Sequence, residues 1–143
     1  MLQTPLCRML GIQHPIFSVG MSWLSGPELT SAVSNAGACG VVGVGGMTGD
    51  RVRQRIRETR AMTDKPFGAN IILARTLEGQ IEACLDEAPP LIVFFWGDRW
   101  WRSCPTNSHE RAKIRCCSWA SMASLTKFSW RICPDVRPMK PGH

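Results

Sequence analysis

Apolar residues gather into four short continuous runs, separated by stretches in which they recur every three or four positions. The runs are residues 15–19, 41–44, 67–73 and 91–96, each touching a Gly or Pro at a boundary, which predicts four strands. None alternates apolar with polar positions, so each predicted strand is buried on both faces, as in a parallel sheet covered by crossover helices. After the first run, Leu29, Ala32, Val33 and Ala36 stand at i, i+3, i+4 and i+7 and predict a helix with that face inward. Ser25 and Glu28 are at capping-box spacing, Pro27 suits a first turn and Gly37 stops the helix. Residues 50–62 predict a second helix with Val52 and Ile56 inward, and Arg51, Arg53, Arg55, Arg57 and Arg60 on its wet face. Leu77, Ile81, Cys84 and Leu85 give a third helix its inner face, and Pro89-Pro90 ends it.

The resulting order is β-α-β-α-β-α-β, with units of roughly 25 residues against about 30 for an ordinary βαβ unit. Such a series closes either as a doubly wound open sheet or as a (β/α)8 barrel. A barrel takes about 250 residues. The chain has 143, so only half of one, four strands, is expected here.

Composition changes this picture at Asp98. Residues 1–97 hold twelve of the thirteen Gly and balance eight Lys/Arg against eight Asp/Glu. Residues 98–143 hold one Gly, nine Lys/Arg and three Asp/Glu, so the whole net charge of +6 lies in them. Four of six Trp and four of seven Cys fall there too, an enrichment foreign to a segment selected to fold. No strand of comparable quality follows Gly97, and Pro134, Pro138 and Pro141 break up the end. Two regions are therefore expected: an α/β domain at 1–97 and an irregular tail at 98–143 that is disordered or out of frame. No apolar run reaches 18 residues, and the first residues lack the charged and apolar blocks of a secretory leader. A cytoplasmic protein with reduced thiols follows as the expectation.

Candidate chemistry is sparse. The segment from Gly37 to Gly49 runs from a strand into a helix start, where backbone amides can cradle a phosphate. Gly43-x-Gly45-x-x-x-Gly49 approximates the dinucleotide fingerprint, yet Ala74-Arg75-Thr76 stands where its acidic ribose ligand belongs. The plainer role of these glycines is tight turning and close helix-to-strand packing. Asn70 interrupts an apolar strand, and a buried amide must bond something, either a ligand at the sheet end or neighbouring backbone. His14 precedes Pro15 ahead of the first strand, a turn position at the end of the sheet away from barrel chemistry. Cys104, His109, Cys116 and Cys117 lack zinc-ligand spacing, so no metal is expected. The basic tail carries no nucleic-acid motif, and neither nucleic acid nor a membrane is an expected partner.

Several blocks, taken in order and spacing, carry a resemblance: Pro15-Ile16 through Gly20-Met21; Pro27-Glu28-Leu29 with Ala32-Val33-Ser34-Asn35-Ala36-Gly37 and Gly40-Val41-Val42-Gly43; and Thr63-Asp64-Lys65-Pro66-Phe67-Gly68-Ala69-Asn70. Through them, residues 4 to about 97 resemble the N-terminal half of the nitronate monooxygenase family, also called 2-nitropropane dioxygenases. The resemblance implies the first half of a TIM (β/α)8 barrel, about four βα units, in an oxidoreductase that uses FMN and dioxygen on alkyl nitronates. It implies two cofactor-binding residues, Met21 lying against the flavin through its backbone and Asn70 hydrogen-bonding it. Flavin-dependent enoyl-ACP reductases share much of this half and are the alternative. One departure is Val19-Gly20, where the family usually has Ala-Pro; glycine loosens a loop that proline stiffens. A larger one is that the family's catalytic His, a flavin-contacting Gln and the phosphate loops come from the second half, so no catalytic residue is assigned in this chain. A truncated enzyme, inactive alone, is the expectation, and a non-catalytic fragment that self-associates through its open sheet edge is the other. A frameshift, retained intron or gene-model error would each produce the junction at Asp98.

Overall fold

The computed structural model describes residues 3–95 in full and the strand at 115–119 as backbone. Helix α1 (Pro5–Leu10) precedes α2 (Pro27–Asn35), β1 (Gly40–Gly43), α3 (Gly49–Met62), β2 (Phe67–Ile72), a 3-10 turn (Leu73–Arg75), α4 (Gln80–Glu87), β3 (Leu91–Phe95) and β4 (Arg115–Trp119). The strands form one parallel sheet in the order β1-β2-β3-β4, and α2, α3 and α4 lie before, between and after its first two strands in sequence. This is half of a βα barrel. Among the described residues no helix is long and apolar enough to cross a membrane.

The three apolar runs expected at β1, β2 and β3 pair as parallel strands, with Gly43 opposite Asn70 and Asn70 opposite Val93. The first run does not become a ladder. Residues 15–19 lie beside β1 through a single parallel bridge, Phe17 to Cys39, and the Ser18 hydroxyl accepts the Val41 N–H at 2.9 Å. A side-chain oxygen thus takes a place a ladder carbonyl would fill. Beyond Gly97, where the sequence shows no strand, Arg115–Trp119 pairs with β3 in parallel. It lacks the continuous apolar run by which the other strands are read. Residues 96–114 and 120–143, with His109, His143 and Cys104, lie outside the described residues.

Helix α1 is additional to the elements expected from the sequence, and its ends are well specified. The Thr4 hydroxyl caps the Cys7 N–H, Pro5 starts the first turn, and Gly11 closes it at φ 72°. Helix α2 forms where expected but with the opposite face inward. Pro27, Thr30, Ser31 and Ser34 are buried, whereas Leu29, Ala32 and Ala36 are exposed. Small residues let α2 approach β1 so closely that a Cβ on Gly40 would collide with the Thr30 carbonyl. The buried hydroxyl of Ser34 is satisfied there, donating to the Pro66 carbonyl at 2.9 Å and accepting the Gly40 N–H at 3.1 Å. Hydrogen bonding and close approach outweigh the apolar pattern at this helix.

The arginines of α3 do more than face water. Arg53 pairs with Asp86 at 2.8 Å, and Arg57 and Arg60 hold both carboxylate oxygens of Glu87, tying α3 to the end of α4. Burial alone would raise the Glu87 pKa, but hydrogen bonds from Arg57 and Arg60 and their charge outweigh it and hold it below the ordinary carboxylate value. A carboxylate depressed on folding stabilises above its unfolded pKa, and the contribution is lost as pH falls through the folded one. Glu87→Gln is expected to lower stability by ~1 kcal/mol at pH 7 and to flatten the loss of stability below about pH 4. Thermal melts of both proteins across pH 3–7 check this.

Candidate functional site

The two sheet faces differ in what covers them. Val42, Phe67, Ala69, Ile71, Ile92 and Phe94 pack with Val52, Ile56, Ile81 and Cys84 of α3 and α4 in the main core. By strand alternation Val41, Gly43, Gly68, Asn70, Ile72, Leu91 and Val93 occupy the other face, the inside of the half-barrel. Its lower part is closed by α1, whose Cys7 and Leu10 pack with Ile12, Cys39 and Leu91. The upper part, at the C-terminal strand ends, is left for residues 19–25. Ligands of parallel α/β folds bind at this end.

Asn70 stands in the row Gly43–Asn70–Val93 on this inner face and is 6% exposed. Its carbonyl accepts the Val44 N–H at 3.2 Å, and among the described residues its carboxamide makes no hydrogen bond. The loop carrying Met21 crosses directly above. A Cβ on Gly20 would strike the Asn70 Cβ, and one on Gly43 would lie 2.6 Å from the Ser22 carbonyl oxygen and 2.7 Å from its nitrogen. Glycine at both positions is what lets loop and strand pass at this distance. Met21 and Asn70, separated by almost fifty positions, are thereby brought to one spot. The Met21 side chain is exposed, while its N–H is held by the Val19 carbonyl and the Ser25 hydroxyl.

The organiser of this loop is Ser25, fully buried and read from the sequence as a helix cap. The observed cap of α2 is Gly26, without a side-chain bond. Ser25 instead donates to the Val19 carbonyl at 2.6 Å and accepts the Met21 N–H at 2.9 Å. Its own carbonyl accepts the Gly43 N–H at 2.9 Å. Next to the site, the buried Gln80 side chain at the start of α4 donates to the Val44 carbonyl and fixes the turn after β1. The sequence marks Ser25 only as a helix cap and gives Gln80 no signal.

The other candidates lie elsewhere. The His14 N–H donates to the Gly37 carbonyl in the turn below the sheet, at the end opposite Asn70. Gly40, Gly43, Gly45 and Gly49 each meet a neighbouring element closely, which gives the glycine-rich segment its packing role. Among the described residues no cluster of His, Cys, Asp and Glu can hold a metal ion. Cys39 and Cys84 are free thiols whose pKa is pushed up to about 12 by burial, so neither is a ready nucleophile.

Much of the sequence signature described above is architectural. Ser34 reaches Pro66, and Asn35 accepts the Thr63 hydroxyl at 2.6 Å, joining the end of α2 to the turn before β2. Only its Gly20-Met21 and Asn70 ends meet at the upper face.

A family model described as nitronate monooxygenase matches residues 3–125, running past Asp98 and through β4. A (3aS,4S,5R,7aS)-5-hydroxy-7a-methyl-1-oxo-octahydro-1H-indene-4-carboxyl-CoA dehydrogenase of Mycobacterium tuberculosis is 46% identical over 70 residues, covering 49% of this chain and 20% of its own length. A nitronate monooxygenase of Paraburkholderia phytofirmans is 45% identical over 82 residues, covering 57% of this chain and 22% of its own. Among solved structures, FabK from Thermotoga maritima superposes with a TM-score of 0.74 at 34% identity, over 82% of this chain and 37% of that one. The chain thus spans about a fifth of the curated relatives it matches.

Proposed function

The chain belongs to the nitronate monooxygenase family, and from that premise we propose that it carries the first half of an FMN-dependent oxidoreductase acting on alkyl nitronates with dioxygen. The observation that carries the reading is Asn70, a residue only 6% exposed at the C-terminal strand ends whose carboxamide has no protein partner among the described residues. A flavin could replace water as the hydrogen-bond partner of that carboxamide. The residues fit such a group: the Asn70 carboxamide offers a free donor and acceptor, and Ile72 continues the inner face as an apolar wall. When bound, the flavin accepts electrons from the substrate and is reoxidised by dioxygen. Asn70 would orient it by hydrogen bonding, and the Met21 loop would lie against it and keep water from that side. No proton-transfer group is assigned, since His14 lies at the far end of the sheet.

A second reading keeps the site and changes the substrate to an enoyl thioester. It draws on the carboxyl-CoA dehydrogenase name of one relative and on the 34% identity to FabK. Self-association is the proposed partner interaction, through the open sheet edge beside β1, where residues 15–19 make a single bridge and Val19 is 65% exposed.

One set of measurements on the purified chain tests these readings. FMN is titrated while its fluorescence is followed, then oxygen uptake with an alkyl nitronate and NADH-dependent reduction of an enoyl thioester are assayed. Weak, saturable quenching without turnover is expected of these 143 residues alone. Absence of quenching would end the flavin reading, and tight flavin with nitronate-dependent oxygen uptake would end the half-enzyme reading. Size exclusion of the same sample separates a defined oligomer from aggregate. The boundary at Asp98 is tested by translating the DNA beyond the Gly97 codon in the other frames, where further βα units are expected if the frame was lost.

A further inference from the structure

We infer that Ser25 is a positioning residue that sets the height of the Met21 loop above Asn70. The inference rests on the flavin-site reading for its functional meaning and on hydrogen bonds alone for its structural part. Ser25 stands at the crossing of three segments. Its hydroxyl bridges two points of the loop, the Val19 carbonyl at 2.6 Å and the Met21 N–H at 2.9 Å, while its carbonyl takes the Gly43 N–H of β1 at 2.9 Å. Its own N–H donates to the Met21 carbonyl at 2.9 Å, closing a tight turn through residues 21–25.

Among the described residues no other side chain bonds this loop in the same way. Its side chains at Val19, Met21, Trp23 and Leu24 are all exposed, so close approach of its backbone at Gly20 and Ser22 to Asn70 and Gly43 is the packing it has. Ser22 lies at φ 22°, outside the regions a serine prefers, so the turn must be imposed from outside itself. A fully buried hydroxyl with both its donor and acceptor functions used supplies that constraint. The α2 cap, the role its position suggests, is left to Gly26. Ser25 therefore acts on the site through Met21, and makes no contact with a ligand itself.

Two variants separate the hydroxyl from its volume: Ser25→Ala removes both, while Ser25→Cys keeps the volume and bonds weakly. In the full chain, amide exchange at Met21, Ser25 and Gly43 is expected to quicken about tenfold in both variants, with the β2 amides, such as that of Ile71, unchanged. FMN quenching should weaken several-fold in both. Unchanged exchange at Met21 and Gly43, an effect in Ala but not in Cys, or equal quickening throughout β2 would each overturn the inference. If FMN binds neither parent nor variants, the flavin reading falls, and the exchange result still decides whether Ser25 sets the loop.

Discussion

Gly40→Ala should destabilise the chain by about 3 kcal/mol, in the upper range for overpacking of a buried contact. The added methyl would meet the Thr30 carbonyl, α-carbon and carbonyl carbon, all backbone atoms of α2 that no rotamer change can move aside. Relief requires α2 to lift from β1, and lifting it strains the Ser34 hydroxyl's bonds to Pro66 and Gly40 and exposes the buried Thr30 and Ser31. A loss of that size corresponds to roughly 15 °C in a domain near 100 residues. Gly68→Ala is the control, being in the neighbouring strand with its nearest contacts to the Leu91 side chain, at 3.2 Å and beyond. It is expected to lose about 1 kcal/mol or less. Urea unfolding of the three proteins decides the matter, and equal midpoints for the two variants would mean that α2 does not pack this closely.

Asn70→Leu should lower FMN affinity about tenfold or more, the equivalent of one hydrogen bond of some 1.4 kcal/mol, while leaving the fold about as stable as before. The second effect carries the argument. The carboxamide bonds no protein group among the described residues, so an apolar side chain of similar shape leaves no partner orphaned. If the carboxamide served neighbouring backbone, the same change would orphan that partner and cost about 1–3 kcal/mol. Melting of the flavin-free protein and FMN titration, taken together, distinguish the two. Destabilisation with unchanged FMN affinity would return Asn70 to a purely structural role.

The sequence exposes the parts of the fold that rest on apolar burial. β1, β2 and β3 are continuous apolar runs, and Val52 and Ile56 of α3 enter the core as their spacing predicts. What it conceals rests on hydrogen bonding and close approach. The inner face of α2 is Thr30, Ser31 and Ser34, whose hydroxyls no hydropathy pattern marks as buried. Ser18 turns the first run from a ladder strand into an edge segment, and Ser25 leaves the cap for the loop. Asn70 was legible as an anomaly, a polar residue within an apolar run, but its neighbourhood with Gly20 is a contact between residues fifty positions apart. The polar residues that shape the site are thus the ones for which the sequence permits several roles.

Cys39 sits at the base of the inner face and Cys84 on the core side of α4, both free, both buried and both with thiol pKa pushed up to about 12. At neutral pH almost no thiolate exists at either. The two cysteines are therefore silent to alkylating reagents while the sheet is closed, and become reactive only when their part of it opens. They report on different regions, Cys39 on the seam between α1 and the strands and Cys84 on the packing of α4 against them. Peptide-resolved labelling over time would read, without any added probe, which side of the half-barrel opens first.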